Sequence, residues 1–192
     1  RAPEHPFPSQ PNECLDVYQW VLAQGIAPKH VATIGDSAGG LLATTMVLAA
    51  RDRGVALPAA IVPLSPWYDM EAVGESYKTN EANDKLISAG LILVIAGMAL
   101  GTASPREPLA NPLFSDFRGM PPMYIQVGGY EALLDDSLRV EKLAKAAGVE
   151  VKVDVFPEMQ HVFQFMAGHA PEADDAVARI GAWLRPRLGL AK

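Results

Sequence analysis

The sequence is short of cysteine: Cys14 stands alone among 192 residues. No internal disulfide can form, which excludes a small disulfide-stapled scaffold and fits a reducing, cytoplasmic compartment. Basic charge is scarce too, with 16 Lys and Arg against 22 Asp and Glu and a net charge of −6. Nothing here neutralises phosphates in series, so nucleic acid is excluded as a partner. The cations form no cluster suited to an anionic membrane surface. No internal repeat or low-complexity tract appears. There is no G-x-G-x-x-G and no G-x-x-x-x-G-K, which removes the common nucleotide-binding turns. Long apolar runs are also few. The one candidate, Leu86 to Ala103, is interrupted by Ser88, Gly90, Gly97, Gly101 and Thr102 and has no aromatic belt, so it reads as a buried or lid-forming helix rather than a membrane span.

Apolar residues make up 49% of the chain, enough for one domain with a real core. Apolar spacing predicts a helix over Asn12 to Gln24 and a buried strand over His30 to Gly35. An Ala-rich helix is expected over Ser37 to Arg51 and a second buried strand over Ala59 to Leu64. A third strand covers Met123 to Val127. Ser137 is expected to cap a helix reaching Ala147, and a helix over Asp174 to Leu188 closes the pattern. Val149 to Val155 alternates Val with charged residues, as a strand with one wet face near a sheet edge would. Strand and helix therefore alternate, which predicts an α/β fold whose mainly parallel sheet is covered by helices on both faces. The stretch from Trp67 to Pro122 is too long for a simple crossover, and residues 68–104 are read as an inserted helical cap within a single domain spanning 1–192.

In such sheets the chemistry sits at the carboxyl ends of the strands. There the sequence places Gly35-Asp36-Ser37-Ala38-Gly39, a G-x-S-x-G lying between a strand and a helix. This is the setting of a nucleophile elbow, with Ser37 as nucleophile and the Ala38 N–H as an oxyanion donor. Gly35 and Gly39 are expected to be small because the turn is tight. A trypsin-like reading of Gly-Asp-Ser fails, since base and acid would have to precede the serine in an all-β scaffold. The order serine, acid, histidine excludes His5 and His30 as base. His161 follows the alternating strand and precedes the last helix, which favours it over His169. For the acid, the residues alone leave Glu131, Asp135 and Asp136 open. The last two also suit a helix N-terminus.

Taken together, Arg1-Ala-Pro-Glu-His-Pro-Phe-Pro8, Gly35-Asp-Ser-Ala-Gly-Gly40, Leu64-Ser-Pro-Trp67, Pro108-Leu-Ala-Asn-Pro-Leu113, Glu131-Ala-Leu-Leu-Asp-Asp136 and Pro157-Glu-Met-Gln-His161 resemble the hormone-sensitive-lipase-like esterases of the α/β-hydrolases. The family's triad acid opens a D-P-L-x-D motif about thirty residues before the histidine. The resemblance therefore implies Glu131, with Asp135 as runner-up. It implies hydrolysis of short- to medium-chain acyl esters without metal or organic cofactor, and a homodimer in which the Val149 to Val155 strand is the candidate seam. A small-molecule receptor that has lost its triad, or an amidase or peptidase with the same triad, are the rival readings. The family's H-G-G-G motif, cap helices and first strands are not in this sequence, which reads as the carboxy-terminal two-thirds of the fold.

Overall fold

The computed structural model describes residues 1–190, so residues 191 and 192 of the expected domain lie outside the described residues. Four strands form one parallel sheet in the order β1 (Ala32–Asp36), β2 (Ala60–Leu64), β3 (Met123–Gly128) and β4 (Val151–Phe156). Asp36 pairs with Leu64, Leu64 with Gln126, and Gln126 with Asp154. All four strands thus end along one rim.

Side chains alternate across a strand, and each face of the sheet has its own cover. Ile61, Met123 and Ile125 join a core built by α1 (Ser9–Ala23), α2 (Ala38–Asp52) and α5 (Leu134–Ala146). Val62 and Tyr124 face the other way, against Ile180, Trp183 and Leu184 of α6 (Pro171–Arg187). The α2 helix is Ala-rich because it lies under both the sheet and α1, with Val47, Leu48, Ala49 and Ala50 excluded from solvent. β2 and β3 are central and buried almost throughout.

The first strand departs from expectation. β1 was expected to be buried, yet Ile34 is 56% exposed. Among the described residues β1 has a strand on one side only, so its apolar character finds no partner on the other. β4 lies at the opposite edge, as its alternation predicts. Ser137 does not cap α5, which starts at Leu134 and leaves Ser137 buried inside the helix. The cause is tertiary. Asp135 and Asp136, in the helix's first turn, accept hydrogen bonds from the backbone of residues 68–76 and fix the helix start before Ser137.

Between β2 and β3 run a one-turn helix α3 (Ser76–Thr79) and α4 (Ala89–Leu100). Ser88 caps α4 by accepting from the Leu91 N–H at 3.3 Å. Ile92, Ala96 and Leu100 pack inward, while Leu93 and Val94 are 51% and 62% exposed. The helix is therefore neither wholly buried nor a span. No helix among the described residues is long and apolar enough to cross a membrane. The first residues of the chain run beside it, with the Phe7 N–H donating to Ala99 O.

Candidate active site

The rim of the sheet begins at Ser37, immediately after β1. Its φ is +53° and its ψ −118°, a conformation costly for any residue with a side chain. Three backbone hydrogen bonds hold it there. Its N–H donates to Leu64 O at 2.9 Å, and its carbonyl accepts from Leu41 N at 3.2 Å and Trp67 N at 3.0 Å. The bend is tight because a Cβ on Gly35 would stand 2.3 Å from Gly39 O, which only glycine avoids. Gly39 has open space around its Cβ position, so the expectation that it must be small on steric grounds is corrected: its backbone is what crowds Gly35.

The Ser37 side chain does not cap α2, and its hydroxyl has no hydrogen-bond partner among the described residues. The side chain is half-buried at the amino end of that helix, where the dipole favours developing negative charge. Ala38 is the first helical residue, so its N–H has no acceptor within the helix, and the residue is exposed at the rim. Beside it lies an apolar recess of about 80 Å³, lined by Phe7, Ala38, Leu41, Trp67, Met70 and Leu100. A larger groove of about 670 Å³ runs along β1 past Val17, Ile34 and Leu42, and none of Ser37, Glu131 or His161 lines it.

The acid–base candidates sit further along the same rim. Glu131 follows β3 after Gly128 and Gly129, is completely buried, and its Oε2 lies 2.9 Å from His161 Nδ1. Its Oε1 accepts from Ser65 Oγ at 2.6 Å and from the Gly128 N–H at 2.5 Å. Burial pushes the Glu131 carboxyl up, and the imidazole, the Ser65 hydroxyl and the Gly128 amide pull it back down. An ionised Glu131 can only accept, so Nδ1 carries a proton, and in the neutral imidazole Nε2 then holds the lone pair. The two loops can meet because Gly128 has no side chain: a Cβ there would stand 2.3 Å from Met159 O.

The other candidates lie elsewhere. Asp135 Oδ2 accepts from the Ser76 N–H at 2.9 Å and Asp136 Oδ2 from the Tyr68 and Asp69 N–H groups, and neither reaches an imidazole. His169 and His5 are exposed, and His30 Nδ1 bonds Leu188 O at 2.7 Å. Ser37 and His161 share the rim, but no hydrogen bond joins them. Such bonds commonly tighten only when substrate is bound.

Sequence reasoning missed the residues that brace this arrangement. Asp84 is buried, and its Oδ2 accepts from the Ala132 N–H at 2.7 Å. Asn80 Nδ2 donates to Gly129 O and Glu131 O at 3.1 and 2.8 Å. Gln160, next to His161, donates to Asn83 O and accepts from Lys85 N, both at 3.0 Å. These contacts join segments far apart in the chain, so local pattern carries no sign of them. The adjacent Gly128 and Gly129 were the one available signal of a close approach.

Comparisons with known proteins bear on the fold and the family. A family described as having the α/β-hydrolase fold matches residues 1–165. An acetyl-hydrolase from Streptomyces hygroscopicus is 40% identical over 98% of this chain, which covers 63% of that protein. An esterase from Acinetobacter venetianus is 37% identical over 93% of the chain and 59% of its own length. Among solved structures, an esterase from the bacterial hormone-sensitive lipase family superposes with a TM-score of 0.96 at 46% identity, covering 98% of this chain and 63% of that one. EstE5, in crystals soaked with p-nitrophenyl butyrate, gives 0.95 at 38% identity over the same shares. The chain thus spans about 60% of the length of the curated relatives it matches. With its elbow, parallel sheet and carboxylate–imidazole pair set on one rim, the chain belongs to the α/β-hydrolases, in the hormone-sensitive-lipase-like group of esterases.

Proposed function

We propose that this chain carries the catalytic triad of a carboxylic ester hydrolase, with Ser37 as nucleophile, His161 as general base and Glu131 as orienting acid. The observation that supports it most is the Glu131–His161 pair, which engages Nδ1 and leaves Nε2 without a partner among the described residues, on the rim that also bears Ser37. His161 Nε2 takes the Ser37 hydroxyl proton as Oγ attacks the ester carbonyl, giving a tetrahedral oxyanion. The Ala38 N–H donates to that oxyanion. The family's H-G-G-G motif, which this sequence does not hold, supplies the remaining donors. The imidazolium protonates the leaving alcohol, and water, deprotonated by the same Nε2, releases the acid from Ser37. The reaction needs no metal or organic cofactor. Segment 68–104 acts as the cap over the site. The recess beside Ala38 is small, about 80 Å³, and lined by apolar side chains, so it suits a short acyl group. A homodimer through β4, an edge strand among the described residues, belongs to the same proposal, and the sedimentation mass tests it.

In the complete protein, Ser37→Ala is expected to lower kcat on p-nitrophenyl butyrate by a factor on the order of 10⁶. Retained activity rejects the nucleophile. Labelling of Ser37 by a fluorophosphonate separates an enzyme from a small-molecule receptor, and comparison with the matched anilide separates an esterase from an amidase.

A further inference from the structure

One buried hydroxyl connects the acid to the loop that carries the base. Ser65 follows β2, is completely excluded from solvent, and has a φ of +43°. Its N–H donates to Gln126 O at 2.7 Å, which keeps its backbone on the sheet while the strained φ turns its side chain along the rim. Oγ then makes two hydrogen bonds, accepting from the Val162 N–H at 3.1 Å and donating to Glu131 Oε1 at 2.6 Å. Val162 is the residue after His161 and itself has a φ of +52°. Among the described residues, Ser65 is the one side chain bonded both to the Glu131 carboxylate and to the His161 loop.

The polarity of this link is fixed by valence. A hydroxyl has one proton to give. The Val162 amide can only donate, so the Ser65 proton is free for Glu131. Glu131, His161, Val162 and Ser65 therefore close a ring: carboxylate to imidazole, imidazole through its own backbone to the next amide, amide to hydroxyl, hydroxyl back to carboxylate. A serine that merely filled core space would satisfy itself on a nearby carbonyl. Ser65 instead reaches 66 and 97 residues along the chain to the two segments whose spacing matters. Three of the five non-glycine residues with positive φ among those described, Ser37, Ser65 and Val162, belong to this rim, where strain is held in place by the surrounding hydrogen bonds.

We propose that Ser65 is a positioning residue of the acid–base pair, holding the Glu131 carboxylate and the His161 loop in register. The inference rests on the triad reading above. Loss of the hydroxyl removes a donor from a buried carboxylate. The free base form of the pair, which carries one uncompensated negative charge, suffers more than the protonated form, in which imidazolium neutralises it. His161 is the titratable group that bears directly on this carboxylate. The acid limb of kcat/KM therefore moves to higher pH.

In the complete protein, with rates counted per site titrated by a fluorophosphonate so that misfolded molecules drop out, Ser65→Ala is expected to lower kcat about 10- to 100-fold. KM on p-nitrophenyl butyrate should stay within about twofold, and the acid limb should rise by about half a pH unit to one unit. Ser65→Cys, which keeps a weak donor, is expected to fall between wild type and Ser65→Ala. An unmoved acid limb with wild-type kcat overturns the proposal, even if the melting temperature drops, because that is the pattern of a purely structural serine. Ser37→Ala and Glu131→Gln serve as controls, with the rate of Ser37→Ala counted per folded protein because it has no serine to titrate. If they retain activity, the triad reading has failed; if they are inactive while Ser65→Ala matches wild type, this inference alone has failed.

Discussion

Glu131 and Asp136 lie five residues apart, and both carboxylates are completely buried. The turn after β3 and the first turn of α5 nonetheless treat them in opposite ways. Glu131 faces a titratable partner and has both oxygens engaged. Asp136 is held through one oxygen by the Tyr68 and Asp69 amides at 2.8 and 2.9 Å, with the Tyr77 hydroxyl at 3.3 Å, while its Oδ1 is buried without a partner. The nearby Asp69 carboxylate is the one that holds Arg139, at 2.6 Å. Burial pushes the Asp136 carboxyl up to about 7, the two amides pulling the other way and the Asp69 charge adding to the rise. The difference teaches that burial alone does not decide what surrounds a carboxylate or how it is held. What separates the two is that the second oxygen of Glu131 meets an imidazole, whereas that of Asp136 meets no partner among the described residues.

Three substitutions sharpen or break that contrast in the complete protein. The largest effect is expected for Glu131→Gln, with a fall in kcat of about 10⁴-fold, because a side-chain amide no longer holds the imidazole in the productive tautomer. A loss below about tenfold in steady-state kinetics would move the acid elsewhere. Asp136→Asn should leave kcat within about threefold and change the pH dependence of stability instead. The folded-state pKa of about 7 lies above the ordinary 3.8, so the native state keeps a proton that the unfolded chain releases. That contribution is complete below the unfolded value and is lost as pH rises through about 7. Wild type is expected to lose up to about 1.4 kcal/mol of stability per pH unit across this window from that group. Urea melts at several pH values should show the slope flattened in Asp136→Asn, and an unchanged slope would mean the group is ionised in the fold. Asp135→Asn should have the smallest effect. Among the described residues its carboxylate accepts only from the Ser76 amide, at 2.9 Å, so stability is expected to fall by about 1 kcal/mol with kcat nearly unchanged. A large loss of kcat there, with Glu131→Gln active, would restore Asp135 as the acid.

The legibility of the site follows the range of the interactions that build it. Gly35 to Gly39 could be read as an elbow because its constraints are local. A strand, a turn too tight for a side chain and a helix succeed each other within a few residues. The placement of His161 after a strand and before the last helix was legible for the same reason. Ser65, Asp84 and Asn80 were not, since each acts on a partner about 50 to 100 residues away and has ordinary neighbours in sequence. Ser137 misled because a serine before an apolar run is a good local cap signal. Tertiary bonds to Asp135 and Asp136 overrode it. Ile34 misled in a related way: β-branched, apolar sequence marks a strand, but whether its outer side is covered depends on what lies beyond β1.

The order of strands and helices, the parallel sheet they imply and the sharp strand-to-helix turn at Ser37 were written into the sequence alone, because periodicity and steric limits act between near neighbours. Which carboxylate meets the imidazole was a tertiary decision. Glu131, Asp135 and Asp136 share one short segment and similar chemistry. Only the close approach of the Gly128 turn to the Met159 carbonyl, a contact between two separate loops, brings one of them to His161 and leaves the other two to hold the fold.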